Sequence, residues 1–170
     1  DALDDFAPQD IVGLRAFSTD LGPSGTAEFV DVVPVNRRMT DNREALASAI
    51  RGLQPTNGTP LYSATQATYE DAVEAFDADR INAVVLLSDG VNDDGDDSDD
   101  DQQLDDLLTA LQSDSEGQLT QPVRVFPIAY GADADQATLR RIAEASTAAS
   151  YDASDPTSID KVFAAVVSNF

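Results

Sequence analysis

Asp89 and Thr59 are the residues whose types and setting could do chemistry. Asp89 closes the stretch Ile81-Asn82-Ala83-Val84-Val85-Leu86-Leu87-Ser88-Asp89-Gly90, and Thr59 lies in the turn Asn57-Gly58-Thr59-Pro60, thirty residues upstream. A carboxylate and a hydroxyl are hard oxygen donors, and the chain holds no Cys and no His to add sulfur or imidazole. Such a pair suits Mg²⁺ or Mn²⁺ and not a zinc centre of the Cys/His kind. Thiolate chemistry and a Ser-His-Asp nucleophile are excluded by the same composition.

The elements around these two residues decide whether they can meet. Ala83 to Leu87 are all apolar, two of them Val, and read as a strand covered on both faces, as in the middle of a parallel sheet. That strand is expected to be central, and it stops at Ser88-Asp89-Gly90. Asp89 therefore falls at the carboxyl end of a strand, where open α/β sheets place their ligands. A helix from Leu61 to about Phe76 advances roughly 24 Å, and a strand from Asn82 to Ser88 returns roughly 23 Å. The lengths cancel, which predicts Thr59 and Asp89 at the same edge of the sheet.

Charge narrows the choice of partner. The chain has 32 acidic and 10 basic residues, a net of -22, and lacks the basic stripes that phosphate binding needs. Nucleic acid and anionic membranes are disfavoured, and divalent cations or basic partners are favoured. A length of 170 residues with 42% hydrophobic content fits one domain with a sizeable core. No apolar run approaches the length of a transmembrane helix, so membrane insertion by this chain is not expected, and no signal peptide is recognisable. The start at Asp1 without Met leads us to expect a further segment upstream. Asp outnumbers Glu, and Lys161 is the single lysine; a genome rich in G and C or adaptation to high salt would each give this bias.

In chain order, Asp1 to Phe6 reads as the last turn of a helix ended by Pro8. Ile11–Ser18 and Ala27–Val35 read as strands joined by a short Gly/Pro loop, hence an antiparallel hairpin, with Pro34 suited to an edge. Asp41 and Glu44 have capping-box spacing ahead of a helix carrying Leu46, Ile50 and Leu53, which ends before Pro55. After the strand at Asn82, Asp93 to Asp101 form an acid loop, and Gln102–Ser113 an amphipathic helix with Leu104, Leu107, Leu108 and Leu111 inward. A loop bracketed by Gly117 and Pro122 leads to a strand at Val123–Ala129. Asp133 and Gln136 are placed to cap the following helix, which carries Leu139 and Ile142. Ser150-Tyr151 reads as a short last strand. Asp155-Pro156 starts a final helix whose Ile159, Val162, Phe163, Val166, Val167 and Phe170 form an unbroken stripe. The fold class is α/β: a Rossmann-like, doubly wound, mostly parallel sheet with one antiparallel edge strand and helices on both faces.

This order resembles the von Willebrand factor type A domain. The resemblance rests on the edge hairpin, the Asn57-Gly58-Thr59-Pro60-Leu61-Tyr62 turn into a helix, and the apolar strand ending Leu87-Ser88-Asp89-Gly90. It implies a metal-ion-dependent adhesion site for Mg²⁺ or Mn²⁺ built from three loops, with Thr59 matching the second loop and Asp89 the third. The first loop, Asp-x-Ser-x-Ser, has no counterpart; Asp152-Ala153-Ser154 is a late and incomplete echo. The resemblance also implies that the family's first strand and most of its first helix lie upstream of Asp1, that strand falling between those at Ile11 and Asn82. Residues 1-170 then form a single domain, incomplete at its N-terminus. Mg²⁺ takes six oxygens, so two donors imply weak binding by this chain as given.

Local readings compete with the metal. Thr59-Pro60 is also a good helix start, Asp89-Gly90 a plain strand-ending turn, and Asn57-Gly58-Thr59 a sequon that the neighbouring Pro60 disfavours. The acid run lacks EF-hand spacing and reads as a solvated loop, though its charge makes the rim beside Asp89 negative. Function is expected to be metal-dependent binding of a protein ligand without turnover, in a longer secreted or surface protein of bacterial type. The alternatives are a degenerate scaffold that binds no metal and a Mg²⁺-dependent phosphoryl-transfer enzyme. The last lacks a phosphate loop before a helix and any Lys or Arg close to Thr59 or Asp89 in sequence.

Overall fold

Apolar runs and capping residues determine where elements begin and stop. A computed structural model of the chain describes residues 2–54, 58–113, 122–132 and 134–168. Two units, Asp1–Pro60 and Leu61–Phe170, separate by their internal contacts.

In the first unit, strands β1 (Leu14–Leu21) and β2 (Ala27–Val33) form an antiparallel hairpin followed by helix α1 (Met39–Gly52). β1 lies three residues later than the expected Ile11–Ser18, and β2 starts at Ala27 as expected but ends two residues earlier, at Val33. Ile11 makes only an isolated bridge to Arg38, and Pro34, which has no N–H to donate, lies just past the end of β2. Arg15 pairs with Asp31 directly across the hairpin at 2.7 Å and lies 4.3 Å over the Phe29 ring, which fixes the register. The expected Asp41/Glu44 capping box is not formed. The helix starts two residues earlier, at Met39, because its amide is taken by the Asp10 carbonyl and the Thr40 hydroxyl and amide by Pro8. A short 3₁₀ turn at Ala2–Asp5 precedes these, clamped by Arg43 to the carbonyls of Leu3 and Phe6. Leu3, Val33, Met39 and Leu46 make the core of this unit.

In the second unit, helix α2 (Leu61–Glu74), strand β3 (Asn82–Ser88), helix α3 (Asp100–Ser113), strand β4 (Val123–Tyr130), helix α4 (Gln136–Ala145), strand β5 (Tyr151–Ala153) and helix α5 (Ile159–Val167) alternate as expected. The sheet is parallel, in the order β3-β4-β5. Phe126, Ile128 and Ala153 meet Val162, Phe163 and Val166 of α5 on one face. Val125, Pro127 and Ala129 alternate with them and are buried on the other.

β3 does not take the central place expected of it. It pairs with β4 along its whole length and with no other strand among the described residues. Ala83 to Val85 are accordingly half-buried and Leu87 is 49% exposed, whereas β4, of similar composition, is almost wholly buried. The antiparallel hairpin forms a sheet of its own.

β5 reaches only Ile128 to Tyr130 of β4. Beyond it the buried hydroxyl of Ser146 stands in for a strand, accepting the Val125 N–H at 3.0 Å and donating toward the carbonyls of Val125 and Ala143 at 3.3 and 3.2 Å. The loop bracketed by Gly117 and Pro122 falls largely outside the described residues, as do Asp133 and Phe170.

Candidate metal centre

The loop that leaves β3 is locked in place from Ser88 to Asn92. Ser88 is 8% exposed, and its hydroxyl accepts the Gly90 N–H at 3.0 Å. Gly90 has φ +81, and a Cβ there would lie 2.8 Å from the Asp135 carbonyl and 2.9 Å from Leu139 Cγ, so only glycine fits. The Asp135 N–H in turn donates to the Asp89 carbonyl at 2.7 Å. These contacts seat the backbone of Asp89 against the start of α4 and leave its carboxylate exposed, with one long bond of 3.4 Å from the Val91 N–H.

Asp135 caps α4: one carboxylate oxygen accepts the amides of Ala137 and Thr138, both at 3.1 Å. Burial acts to raise the pKa of this carboxyl, but the hydroxyl and amide of Thr138 and the amide of Ala137 together hold it below its ordinary value. It is committed to the helix. Asp152 is similarly engaged with the Ser154 amide at 2.8 Å, so the Asp-Ala-Ser echo noted in the sequence is a local turn.

Asn92 is the residue that sequence reading passed over. It is 7% exposed; its carbonyl oxygen accepts the amides of Leu61 and Tyr62 at 2.9 and 3.3 Å, and its NH₂ donates to Asp100 at 2.7 Å. One side chain thus caps α2, holds the first carboxylate of α3 and anchors the loop carrying Asp89. The cap that Thr59 could have supplied comes from 31 residues away in sequence, so no local pattern announces it. Thr59 itself is half-buried and belongs to the first unit, one residue before its end, while Asp89 belongs to the second.

The acid run is more structured than a solvated loop. Asp94 and Asp96 close successive turns onto the amides of Asp96 and Ser98, and Asp100 and Asp101 form the first turn of α3, where the helix dipole favours them. Carboxylate oxygens of Asp94, Asp99 and Asp100 lie within 4.8 Å of one another. The Gln103 amide bridges Asp94 and Asp99 at 2.8 and 3.0 Å. That bond, followed by the Asp96 amide, holds the Asp94 carboxyl below its ordinary value. Amide N–H groups thus already offset the repulsion in this cluster.

A family model described as the von Willebrand factor type A domain matches residues 3–165. The chain belongs to that family. Members are generally protein-interaction modules rather than enzymes. Among solved structures, a von Willebrand factor type A protein from Catenulispora acidiphila matches with TM-score 0.68 and 20% identity, over 98% of this chain and 35% of that one. Proximal thread matrix protein 1 from the mussel byssus matches with TM-score 0.64 and 18% identity, over 98% of this chain and 39% of that one. An aerotolerance-related membrane protein from Bacteroides fragilis matches with TM-score 0.61 and 14% identity, over 99% and 84% of the two chains. These likenesses are of fold. The chain spans less than two-fifths of the first two relatives. No curated protein matches it. Among the described residues no helix is long and apolar enough to cross a membrane.

Proposed function

We propose that this von Willebrand factor type A domain is an adhesion-type module, binding a protein ligand through Mg²⁺ or Mn²⁺ held by Asp89 and Thr59. The observation that carries the reading is the state of Asp89. Its backbone is fixed by the Gly90 and Asp135 contacts, while its carboxylate is exposed at the end of β3 with one long bond, from the Val91 N–H, among the described residues. A carboxylate so placed is free to ligate; those of Asp135 and Asp152 are not.

The donor chemistry fits a hard cation, and the donor number does not fill its shell. Two protein oxygens against the six that Mg²⁺ takes leave water and a ligand carboxylate to supply the rest. In this reading the metal supplies a point of positive charge for an acidic group of the partner, and Asp89 and Thr59 hold it, directly or through water, with nothing turned over. Binding of the metal alone is weak. The domain works as part of a longer secreted or surface protein, within which residues 1-170 are completed by the upstream strand and Asp-x-Ser-x-Ser loop that the family pattern implies.

Isothermal calorimetry with MgCl₂ and MnCl₂ tests this, on residues 1-170 and on a form extended upstream. Saturable binding that strengthens in the longer form and is lost in Asp89→Ala supports the reading. Failure of both forms to bind either ion overturns it and leaves a scaffold that recognises its partner without metal.

A further inference from the structure

Two helix starts hold the loop that carries Asp89. The Asp135 N–H, at the start of α4, donates to the Asp89 carbonyl at 2.7 Å. The Asn92 side-chain carbonyl accepts the Leu61 and Tyr62 amides of α2 at 2.9 and 3.3 Å. Asp89 and Asn92 are three residues apart, so the loop keeps its shape only while the two helix starts keep their separation. α2 and α4 pack chiefly on α3 and the sheet rather than along one another. A direct link between their first turns comes from Tyr62, which is buried and whose hydroxyl bonds that of Thr138, also buried. The Thr138 hydroxyl bonds the Asp135 carboxylate as well. A carboxylate can only accept, so the single Thr138 hydroxyl hydrogen goes to Asp135, and the Tyr62 O–H donates to the Thr138 oxygen. Burial, and then the charges of Asp100 and Asp135, push the Tyr62 phenol above its ordinary value and keep that donor hydrogen in place.

We infer that Tyr62 is a positioning residue of this edge: through Thr138 its hydroxyl locks the start of α4 to the start of α2, and so fixes the loop from Asp89 to Asn92. The contacts close a ring, from Asp89 to Asp135, Thr138, Tyr62 and Asn92 and back along the loop. Tyr62, Thr138 and Asn92 are buried, where water does not replace a lost partner. A phenylalanine at position 62 would pack the same ring and leave the gap between the helix starts unbridged. What the lock serves rests on the reading above, in which Asp89 holds the ion; the lock itself does not.

Residue-resolved amide exchange and Mg²⁺ titration, both followed by NMR on residues 1-170, test it in wild type, Tyr62→Phe, Thr138→Val, their double variant and Thr138→Ser. The Asp135 amide reports the lock, and the buried amides of β4 report global stability. Relative to β4, the Asp135 amide should exchange about 3–10-fold faster in Tyr62→Phe and in Thr138→Val, the worth of one hydrogen bond. The double variant should lose little more than Thr138→Val alone, because both changes cut the same link. Thr138→Ser keeps the hydroxyl and should match wild type. The Mg²⁺-dependent shift of the Gly90 amide should need about 3–10-fold more ion in Tyr62→Phe. Three results would overturn the inference: acceleration no greater at Asp135 than in β4, strictly additive losses in the double variant, or a wild-type Mg²⁺ response that is unchanged in Tyr62→Phe. If wild type gives no Mg²⁺ response, the metal reading fails, and the exchange ratios still decide the lock.

Discussion

The side-chain carbonyl of Asn92 accepts the Leu61 N–H at 2.9 Å, joining the loop after β3 to the start of a helix 31 residues earlier. The same side chain reaches Tyr62 and Asp100, so three elements depend on one buried amide. Asn92→Leu keeps the volume and removes every bond, leaving two helix amides and a carboxylate without their partner; a loss of about 2–4 kcal/mol follows from the capping and burial costs. Asn92→Asp retains an acceptor for Leu61 and Tyr62 but sets a carboxylate against Asp100, and it should regain stability as pH falls toward 4. Urea unfolding of both variants at pH 7 and about pH 4 separates them. Equal stability of wild type and Asn92→Leu would remove Asn92 as the organising residue.

α4 ends on a strained residue. Thr147 has φ 55, and the amides of Thr147 and Ala148 bond back to the carbonyls of Glu144 and Ala143, the paired bonds of a left-handed helix stop. That position favours glycine, and a β-branched residue there is an outlier. Thr147→Gly is expected to raise stability by about 1 kcal/mol despite the entropy that glycine adds to the unfolded chain. Thermal unfolding measures it, and a lower melting temperature would mean that the threonine side chain contributes more than its backbone strain costs.

Much of this architecture was legible in the residues because it is written in periodicity. The 2-residue and 3.6-residue patterns located β3, β4 and every α-helix to within a few positions. Caps were less legible, since sequence reading assumes that a cap is local. The Asp41/Glu44 pair had the right spacing. The structure instead uses Asp135 for α4, the Asp10 and Pro8 carbonyls at α1 and the distant Asn92 for α2. The exposed side of β3 was hidden for another reason: hydrophobicity reports what a strand is suited to touch, not whether the neighbour is present. At the candidate site, Asp89 was visible as a carboxylate ending an apolar strand, whereas the Gly90 and Asp135 contacts that hold it depend on tertiary packing.

Gly90 offers a test of that positioning. A methyl group at this position meets the Asp135 carbonyl and Leu139, and the φ of +81 adds backbone strain, so Gly90→Ala must displace the loop. The expected cost is about 2–3 kcal/mol, with Mg²⁺ affinity of the upstream-extended form falling at least about tenfold. Asp89→Asn, by contrast, should lower affinity for the ion with less effect on folding. Calorimetry and thermal unfolding on both variants give the split. If Gly90→Ala unfolds less readily than wild type, the close approach drawn here is wrong.

Charge gives the chain an unusual response to pH and salt. At pH 7 the net -22 opposes compaction, and salt screens that repulsion over about 8 Å at physiological strength. Adding 0.5 M NaCl should therefore raise the melting temperature by roughly 5 °C or more, for ΔΔG of order 1–2 kcal/mol. Lowering the pH toward 4 protonates carboxylates and should do the same without salt. A second effect then intervenes. Asp94 and Asp135 have folded-state values below the ordinary 3.8, so the stability they contribute is complete above that pH and is lost as pH falls through the folded values. Stability at low ionic strength should consequently rise from pH 7 to a maximum at about pH 4–5 and fall steeply below about 3.5. Melting followed by circular dichroism, with and without NaCl at each pH, should show the salt increment shrinking as the maximum is approached. A salt increment unchanged between pH 7 and 4.5 would mean that net repulsion is not what limits the stability of this fold.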